Sequence, residues 1–321
     1  MDEETLGAEL MAAILPVEPG LAARPYAVGV PGHHPLEPLT GLDGVADAVA
    51  EARQACEELR WHRALRRQWA AARAEAGVRS AWAGATLDGV RVPLALVRDV
   101  ARGAAEAPPG PDGDAVRSVL RVQAEVERRM RPPGAAGGAR EPLRQLLVRW
   151  HVAAVGGDGG VGDGDDGGEV GRPRRDEPPQ DLRGLGAAPS GVALDDRLAM
   201  LGELAAAPLP PEVPALVLAA VLHGELLTLR PFRRANAAVA RALFRHQLTA
   251  GGVEPVGVAV PEVAWVRAPT VHLSRAAGFA TGTPEGVGAW LRWCAESVTA
   301  GAAEGRAIAD AVLSGRLDAG T

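Results

Sequence analysis

The stretch LRPFRRANAAVARALFR, residues 229–245, joins one apolar helical pattern to a second one through a short turn. It contains Asn236, the only asparagine in the chain. Pro231 cannot continue the preceding helix, and Asn236 stands before a helix-forming run, where it fits the N-cap position. The stretch therefore predicts two consecutive helices joined by a tight turn, and this helix pair sets the class of the fold.

The composition of the whole chain excludes several classes of protein. All 34 basic residues are arginine, which we attribute to a GC-rich coding bias, so the absence of lysine carries no functional meaning. The net charge is −6 and the acidic residues are spread along the chain or gathered in one loop, which argues against a nucleic-acid partner. An acidic start and no membrane-length apolar run predict a cytoplasmic protein without a membrane partner. Cys56 and Cys294 are predicted to be buried free thiols.

The chain divides into four parts by composition and periodicity. Residues 1–43 are rich in proline and glycine and are predicted to be irregular. Residues 44–155 form an N-terminal helical part, and residues 197–315 form a core that carries the turn. Residues 156–196 between them form a Gly-, Asp- and Pro-rich loop. Its acidic residues lack the order of an EF-hand, so we predict a surface loop and no metal site.

Apolar residues recur at helical spacing through both helical parts, so the fold class is predicted to be all-α. The glycines at 84–89 are expected to interrupt a helix, and the C-terminal pattern predicts separate helices at 284–300 and 303–314. Only the segments 184–193 and 256–260 have the pattern of short strands. One helix face is predicted to bury Leu59, Trp61, Leu65 and Trp69, with Arg73 on the opposite face.

The turn itself offers chemistry for an anion. The first N–H groups of the second helix lack intrahelical acceptors, and the helix dipole favours negative charge there. Four arginines surround the point: Arg230, Arg233, Arg234 and Arg241. This arrangement fits a cradle for a phosphate or carboxylate. The alternative is a helix–turn–helix packing joint with solvated arginines.

The same stretch resembles the signature of the Fic family, whose members share a helical core, the Fido fold, and mostly transfer AMP from ATP to protein hydroxyl groups. The family motif His-Pro-Phe-x-Asp/Glu-Gly-Asn-Gly-Arg-x-x-Arg corresponds to residues 230–241. Four motif residues match at the right spacing: Pro231, Phe232, Asn236 and Arg241. The resemblance implies an all-α Fic/Fido-type core, with a short β-hairpin flap as an optional element. It also implies nucleotide- or phosphate-binding roles for Arg230, Phe232, Arg233, Arg234, Asn236 and Arg241.

The departures from the motif fall on the catalytic groups. Arg230 replaces the histidine that acts as general base, and a guanidinium stays protonated in proteins. Arg234 replaces the acidic residue that holds magnesium, so we expect no Mg²⁺. Ala235 and Ala237 replace the glycines that let phosphates approach the backbone, and Ala238 replaces the first motif arginine. No catalytic residue is retained, and the ordinary AMP-transfer mechanism is not expected.

Two histidines near the motif do not replace the lost base. His223 lies seven residues before Arg230, about 10 Å along a helix axis, which is too far to act at the same atom. His246 lies well into the second helix. Both are predicted to be structural residues of the core.

A second family feature is an inhibitory helix with the pattern Ser/Thr-x-x-x-Glu-Gly/Asn, whose Glu pairs with the last arginine of the motif. Residues 80–89 resemble it, with Asp88 and Gly89 in the Glu-Gly positions and Gly84 in the Ser/Thr position. The resemblance implies a salt bridge between Asp88 and Arg241. The alternative is a simple turn between helices.

These observations lead to three functional hypotheses. The first is a non-catalytic, regulatory member of the Fic family, a pseudoenzyme that binds a nucleotide such as ATP or another anion. The second is an active nucleotidyl- or phosphoryl-transferase that uses an altered pocket. The third is a helical protein-interaction module. Each leaves open an unidentified protein partner and a homodimer.

Overall fold

The structure, a computed structural model, describes residues 34–135, 141–156 and 170–317. Within these ranges the chain forms twelve α-helices and no β-strand, which confirms the all-α prediction. The helices are α1 (Glu37–Thr40), α2 (Val45–Arg60), α3 (Leu65–Leu87), α4 (Leu94–Ala101), α5 (Pro111–Glu127), α6 (Leu143–Val155), α7 (Gly191–Ala206), α8 (Ala215–Leu229), α9 (Asn236–Ala250), α10 (Glu262–Arg267), α11 (Pro269–Thr281) and α12 (Pro284–Leu313). A single 3₁₀ turn, Arg183–Leu185, precedes α7.

Helix α8 lies at the centre of the molecule. Its sequence is apolar on all sides, as expected of a helix with no solvent face, and nearly all of its residues are buried. It packs against α9, α11, α12 and α7. A Cβ at Gly224 would lie 2.8 Å from the side chains of both Phe279 and Trp290. The absence of a side chain at Gly224 thus lets α11 and α12 approach the central helix closely.

Helix α12 is one continuous helix, so the prediction of two helices at 284–300 and 303–314 is wrong. Two glycines inside the helix, Gly301 and Gly305, lie where the segment 258–261 crosses it. A Cβ on Gly301 would lie 2.6 Å from the Pro261 nitrogen, and one on Gly305 would lie 2.9 Å from the Val258 oxygen. These glycines are inside the helix because another backbone touches it there.

The two predicted strand segments are also absent from the described residues. Segment 256–260 begins in a turn, with Gly257 at φ 76°, and Val260 donates its N–H to the Gly301 carbonyl of α12 at 3.1 Å, so the segment contacts a helix. Segment 184–193 contains the 3₁₀ turn and the first turn of α7. The described part of the predicted 156–196 loop, residue 156 and residues 170–196, likewise forms no hairpin flap, and its last residues, 191–196, are the start of α7 and not loop. Residues 157–169, with the acidic run, lie outside the described residues.

The N-terminal helical part differs from its predicted pattern in three places. The chain breaks between α2 and α3, which leaves Trp61 63% exposed rather than buried with Leu59. Arg73 was predicted on a solvent face but is buried, and it donates to the Val256 carbonyl at 2.6 Å. Helix α3 continues through Gly84 and ends only at Leu87.

Three of the shorter helices were not predicted from the sequence. Helix α1 lies inside the segment 1–43 that was predicted to be irregular, of which residues 1–33 fall outside the described residues. Helices α10 and α11 were not predicted because Pro269 and mixed polar residues interrupt their periodicity.

Several simpler predictions agree with the structure. Cys56 and Cys294 are buried free thiols, as predicted. His223 lies fully inside the core between aromatic rings, and burial lowers the pKa of His246 to about 4, so both are structural as predicted. In the described parts of the chain, no helix has the length and apolarity needed to cross a bilayer.

Candidate functional site at the α8–α9 turn

The turn between α8 and α9 has an unusual backbone at both ends. Arg230 ends α8 with φ 44° and Ala235 precedes α9 with φ 63°, both left-handed. For residues with a Cβ this conformation costs about 1–2 kcal/mol each. Such strain persists only where surrounding contacts hold the backbone in place. The turn must therefore be fixed by specific interactions.

Asn236 supplies the first set of these interactions. Its side-chain oxygen accepts the Phe232 N–H at 2.8 Å, and its side-chain nitrogen donates to the Phe232 carbonyl at 2.7 Å. The same nitrogen also donates to Oδ1 of Asp181 at 2.7 Å. Only a carboxamide offers one acceptor and two donors in this geometry, which explains the single asparagine of the chain.

The predicted capping role of Asn236 needs one correction. Asn236 is the first residue of α9, and the N-cap position belongs to Ala235, whose side chain cannot cap. The cap instead comes from a distant residue. Oδ2 of Asp181 accepts the Asn236 N–H at 2.7 Å and the Ala237 N–H at 3.4 Å. A carboxylate thus lies on the N-terminus of α9, the position that the sequence assigned to an anion.

Asp181 belongs to a segment that crosses the turn, residues 170–190, which we call the strap. Two strap amides donate to carbonyls of the turn, Arg174 to Pro231 and Gln180 to Arg233, each at 2.7 Å. The buried Arg174 guanidinium also donates to the carbonyl of Arg230 at 2.7 Å. The strap therefore binds the turn through two backbone hydrogen bonds and through the side chains of Arg174 and Asp181.

The Arg230 side chain also connects the turn to the strap, by hydrogen bonds from its guanidinium to strap carbonyls. It is 2% exposed and donates to the carbonyls of Leu182 at 2.9 Å and Gly186 at 2.8 Å. Burial, and then the neighbouring Arg174, lower its pKa from the ordinary arginine value. In this conformation the Arg230 guanidinium donates its hydrogen bonds to protein carbonyls and not to a ligand.

Phe232 is held by a histidine from α6. The rings of Phe232 and His151 stack at 3.9 Å between centroids with only 5° between their planes. Nδ1 of His151 accepts the Gly171 N–H at 3.0 Å, which ties the start of the strap to α6. Burial, assisted by the charge of Arg234, lowers the pKa of His151 to about 4. The ring is therefore neutral at physiological pH and acts as an acceptor.

The remaining arginines of the turn lie nearer the surface. Arg234 is exposed and Arg233 is half-buried. Arg241, one turn further into α9, makes two hydrogen bonds to Asp88, of 3.1 and 2.5 Å. The structure thus contains the ion pair that the sequence predicts. Gly89 follows with φ +98°, a left-handed conformation suited to a glycine at a helix end.

Behind Arg241 lies a small cavity of about 30 Å³. Oε2 of Glu262 and Nε of Arg245 are buried at or near it and have no hydrogen-bond partner among the described residues. Gln123 and Ser80 complete its polar wall. This volume suits one or two water molecules, which would satisfy the two groups.

The helical architecture of this chain is similar to that of several solved structures. The structure of a Fic family protein from Desulfovibrio desulfuricans G20 matches with a TM-score of 0.61 over 83% of this chain and 74% of that chain, at 16% identity. The chain has the Fic fold. The structure of Fic-1 (residues 134–508) from C. elegans matches with a TM-score of 0.58, covering 82% and 72% at 15% identity. No family model matches the sequence, and no curated protein matches it significantly.

Within the Fic fold, the residues at the turn do not fit a magnesium ion. Arg234 is exposed and cationic, and a guanidinium does not coordinate a metal. The carboxylate at the N-terminus of α9 is Asp181, and both of its oxygens already accept N–H groups. The described turn therefore offers no oxygen set for the metal.

Three residues of this site were not predicted from the sequence to belong to it: Asp181, Arg174 and His151. Asp181 and Arg174 lie in a Pro- and Arg-rich segment without periodicity, more than fifty residues before the helix that they contact. His151 lies in an ordinary amphipathic helix. None of them carries a local signal, because their roles arise from tertiary contacts alone.

Proposed function

We propose that this chain is a non-catalytic Fic-fold protein that binds an anionic ligand of the nucleoside phosphate class at the N-terminus of α9 and serves a regulatory role. The observation that carries this proposal is the Asp181 carboxylate on the Asn236 and Ala237 amides. A helix N-terminus that holds a carboxylate with its first amides can also hold a phosphate. Asp181 would then be a built-in competitor for the site.

The absence of catalysis follows from Arg230. The position that the family uses for its general base carries a guanidinium, which cannot accept a proton at physiological pH. This guanidinium is also buried and bonded to Leu182 and Gly186, so it cannot leave without loss of the strap. The group that would accept a proton from a target hydroxyl is therefore missing from this position.

The charges around the turn favour an anion once the strap opens. Displacement of Asp181 removes the carboxylate that now neutralises the helix dipole. Arg234 is exposed beside the turn, and Arg241 lies in the second turn of α9. Arginine forks bind phosphate oxygens directly and replace part of the charge that a metal supplies. The binding we propose therefore needs no Mg²⁺.

The first test removes the competitor. We expect Asp181→Ala to lower the melting temperature modestly, since a helix cap contributes about 1 kcal/mol. The same variant should gain a thermal shift with ATP, in the absence of Mg²⁺, at least twice that of the wild-type protein. Asp195→Ala removes an equal charge from the exposed face of α7 and should leave the shift unchanged.

Radiolabelled ATP separates the alternatives. The wild-type protein and Asp181→Ala should transfer no label to themselves or to lysate proteins. Transfer that disappears in Arg241→Ala would overturn the proposal in favour of an active transferase with an altered pocket. If neither protein shows a nucleotide-dependent shift, the proposal fails and the turn is a joint of a protein-interaction module.

A second test concerns the ion pair of Asp88 with Arg241. The Asp88 side chain is 37% exposed, so the pair contributes less than about 1 kcal/mol to folding. We therefore expect Asp88→Ala to keep its melting temperature within about 2 °C of the wild type. In the Asp181→Ala background it should tighten ATP binding several-fold, because Arg241 is released. Unchanged ATP affinity in the double variant would contradict an inhibitory role for Asp88.

A further inference from the structure

A cleft of about 640 Å³ lies between α3, α4, α5 and the residues that follow α12, and it shares no residue with the motif at 230–241. We propose that this cleft binds a small organic cation, a primary ammonium group on an apolar body, with Glu127 as its counter-ion. The volume lies within the range of small-molecule sites in proteins. The space exists because the facing helices present small residues: Ala71, Ala74, Gly77, Ala101 and Ala124.

Glu127 is the charged group in the cleft that has no ion-pair partner among the described residues. Its Oε1 accepts one hydrogen bond, from the Gln123 amide at 3.1 Å. The other carboxylate of the cleft, Glu75, is already neutralised. It receives two hydrogen bonds from Arg98, of 2.7 and 3.0 Å, and one from Arg79 at 2.9 Å. A cation that enters the cleft would therefore bind Glu127.

The arginines nearest to Glu127 are engaged elsewhere. Arg73 donates to the carbonyls of Val256 and Arg131, and Arg245 donates to those of Gly257 and Ala259. Burial raises the pKa of Glu127, and the distant charges of the two arginines only partly oppose this. A carboxylate that is desolvated without a contacting cation gains more than an exposed one from a bound ammonium group.

Gly77 leaves room for the Glu127 carboxylate against α3. A Cβ at Gly77 would lie 1.9 Å from Oε1 of Glu127, so a larger residue there would require the flexible Glu127 side chain to move. A glycine inside a helix costs about 1 kcal/mol relative to alanine. Helix α3 is otherwise rich in alanine, yet it has a glycine at the point where the carboxylate meets it.

The rest of the cleft suits an apolar body. Val78 and Leu120 line it from α3 and α5, and Val312 and Leu317 line it from the C-terminal side. Burial of each methylene group of a ligand against such walls contributes about 0.8 kcal/mol. An alkyl chain of about six carbons therefore adds enough affinity for detection at millimolar concentration.

The test compares three probes of equal length by calorimetry at about pH 8, where the amine is charged. We expect n-hexylamine to bind at least tenfold more tightly than 1-hexanol, and hexanoate to bind least. Glu127→Gln should weaken hexylamine about tenfold and leave hexanol unchanged. Glu106→Gln, in an exposed loop, is the control with the same loss of charge.

A second variant keeps the test independent of the charge. Ala74→Leu places a bulkier side chain in the cleft while it leaves Glu127 in place, and it should weaken binding of all three probes. Equal affinity for hexylamine and hexanol, tighter binding of hexanoate, or no effect of Glu127→Gln would each overturn the proposal. Failure of wild-type protein to bind hexylamine at millimolar concentration would overturn it as well.

Discussion

Asn236→Asp is expected to lower the free energy of unfolding by about 4 kcal/mol, because it removes two donors and adds a buried charge. An aspartate cannot donate to the Phe232 carbonyl or to Oδ1 of Asp181, as the asparagine does. It also places a second carboxylate beside Asp181. A total stability of about 5–15 kcal/mol makes this loss large, and the melting temperature should fall by about 10 °C.

Two further variants separate the charge from the hydrogen bonds. Asn236→Ala removes the same bonds without the repulsion, so it should cost less than Asn236→Asp. Adding Asp181→Asn to Asn236→Asp removes the like charge and should recover at least half of the loss. If Asn236→Asp is as stable as Asn236→Ala, or if the second substitution recovers nothing, the network described here does not hold the turn.

We expect acid to unfold the protein at a pH well above the range in which carboxylates ordinarily titrate, because several buried histidines resist protonation. Burial is the main cause that lowers the pKa of His151 and His246 to about 4 and of His272 to about 3. Burial also lowers the pKa of His223 well below its ordinary value. An unfolded chain binds protons at these residues below about pH 6.5, whereas the folded chain does not.

The sign and size of the effect follow from this difference. Stability is full above about pH 6.5 and decreases as the pH falls, by about 2 kcal/mol for each histidine at pH 5. Glu225 and Glu254, whose pKa values are raised mainly by burial, act in the opposite sense, because the folded chain binds protons at these residues at a higher pH than the unfolded chain does. The steepest loss is therefore expected between pH 6.5 and 5, and urea midpoints measured across this range would show it.

His223 provides the matched variant for this prediction. Neither ring nitrogen has a hydrogen-bond partner among the described residues, although the ring is fully buried between Phe244, Trp265 and Trp290. His223→Leu removes an unsatisfied polar group and should stabilise the fold at neutral pH. It should also make the decline toward pH 5 less steep. Constant stability between pH 6.5 and 5 in the wild-type protein would contradict the argument.

The sequence predicted the features that local patterns determine. The central helix pair was predicted because α8 is continuously apolar and Pro231 must end it. The contact of Asp88 with Arg241 was predicted from the spacing of a family motif. Helix α12 was wrongly divided into two helices, although it runs without a break past Gly301 and Gly305, where another segment of the chain contacts it.

The contacts that close the candidate site could not be predicted in the same way. Asp181 contacts Asn236 across 55 residues of sequence, and no periodicity or motif connects the two positions. Arg230 was interpreted as an anion ligand because it lies in an arginine-rich turn. In the structure its donors bind carbonyls of the strap, a partner that only the folded backbone creates.

The way in which the strap caps α9 has a consequence for hydrogen exchange. The first amides of a helix ordinarily exchange freely because no carbonyl of the helix accepts them. Here the amides of Asn236 and Ala237 are protected by a carboxylate from the strap. Their protection therefore measures the opening of the strap rather than the unwinding of the helix. The same opening should set the exchange of the Arg174 and Gln180 amides, which donate to the turn from the other side of the contact.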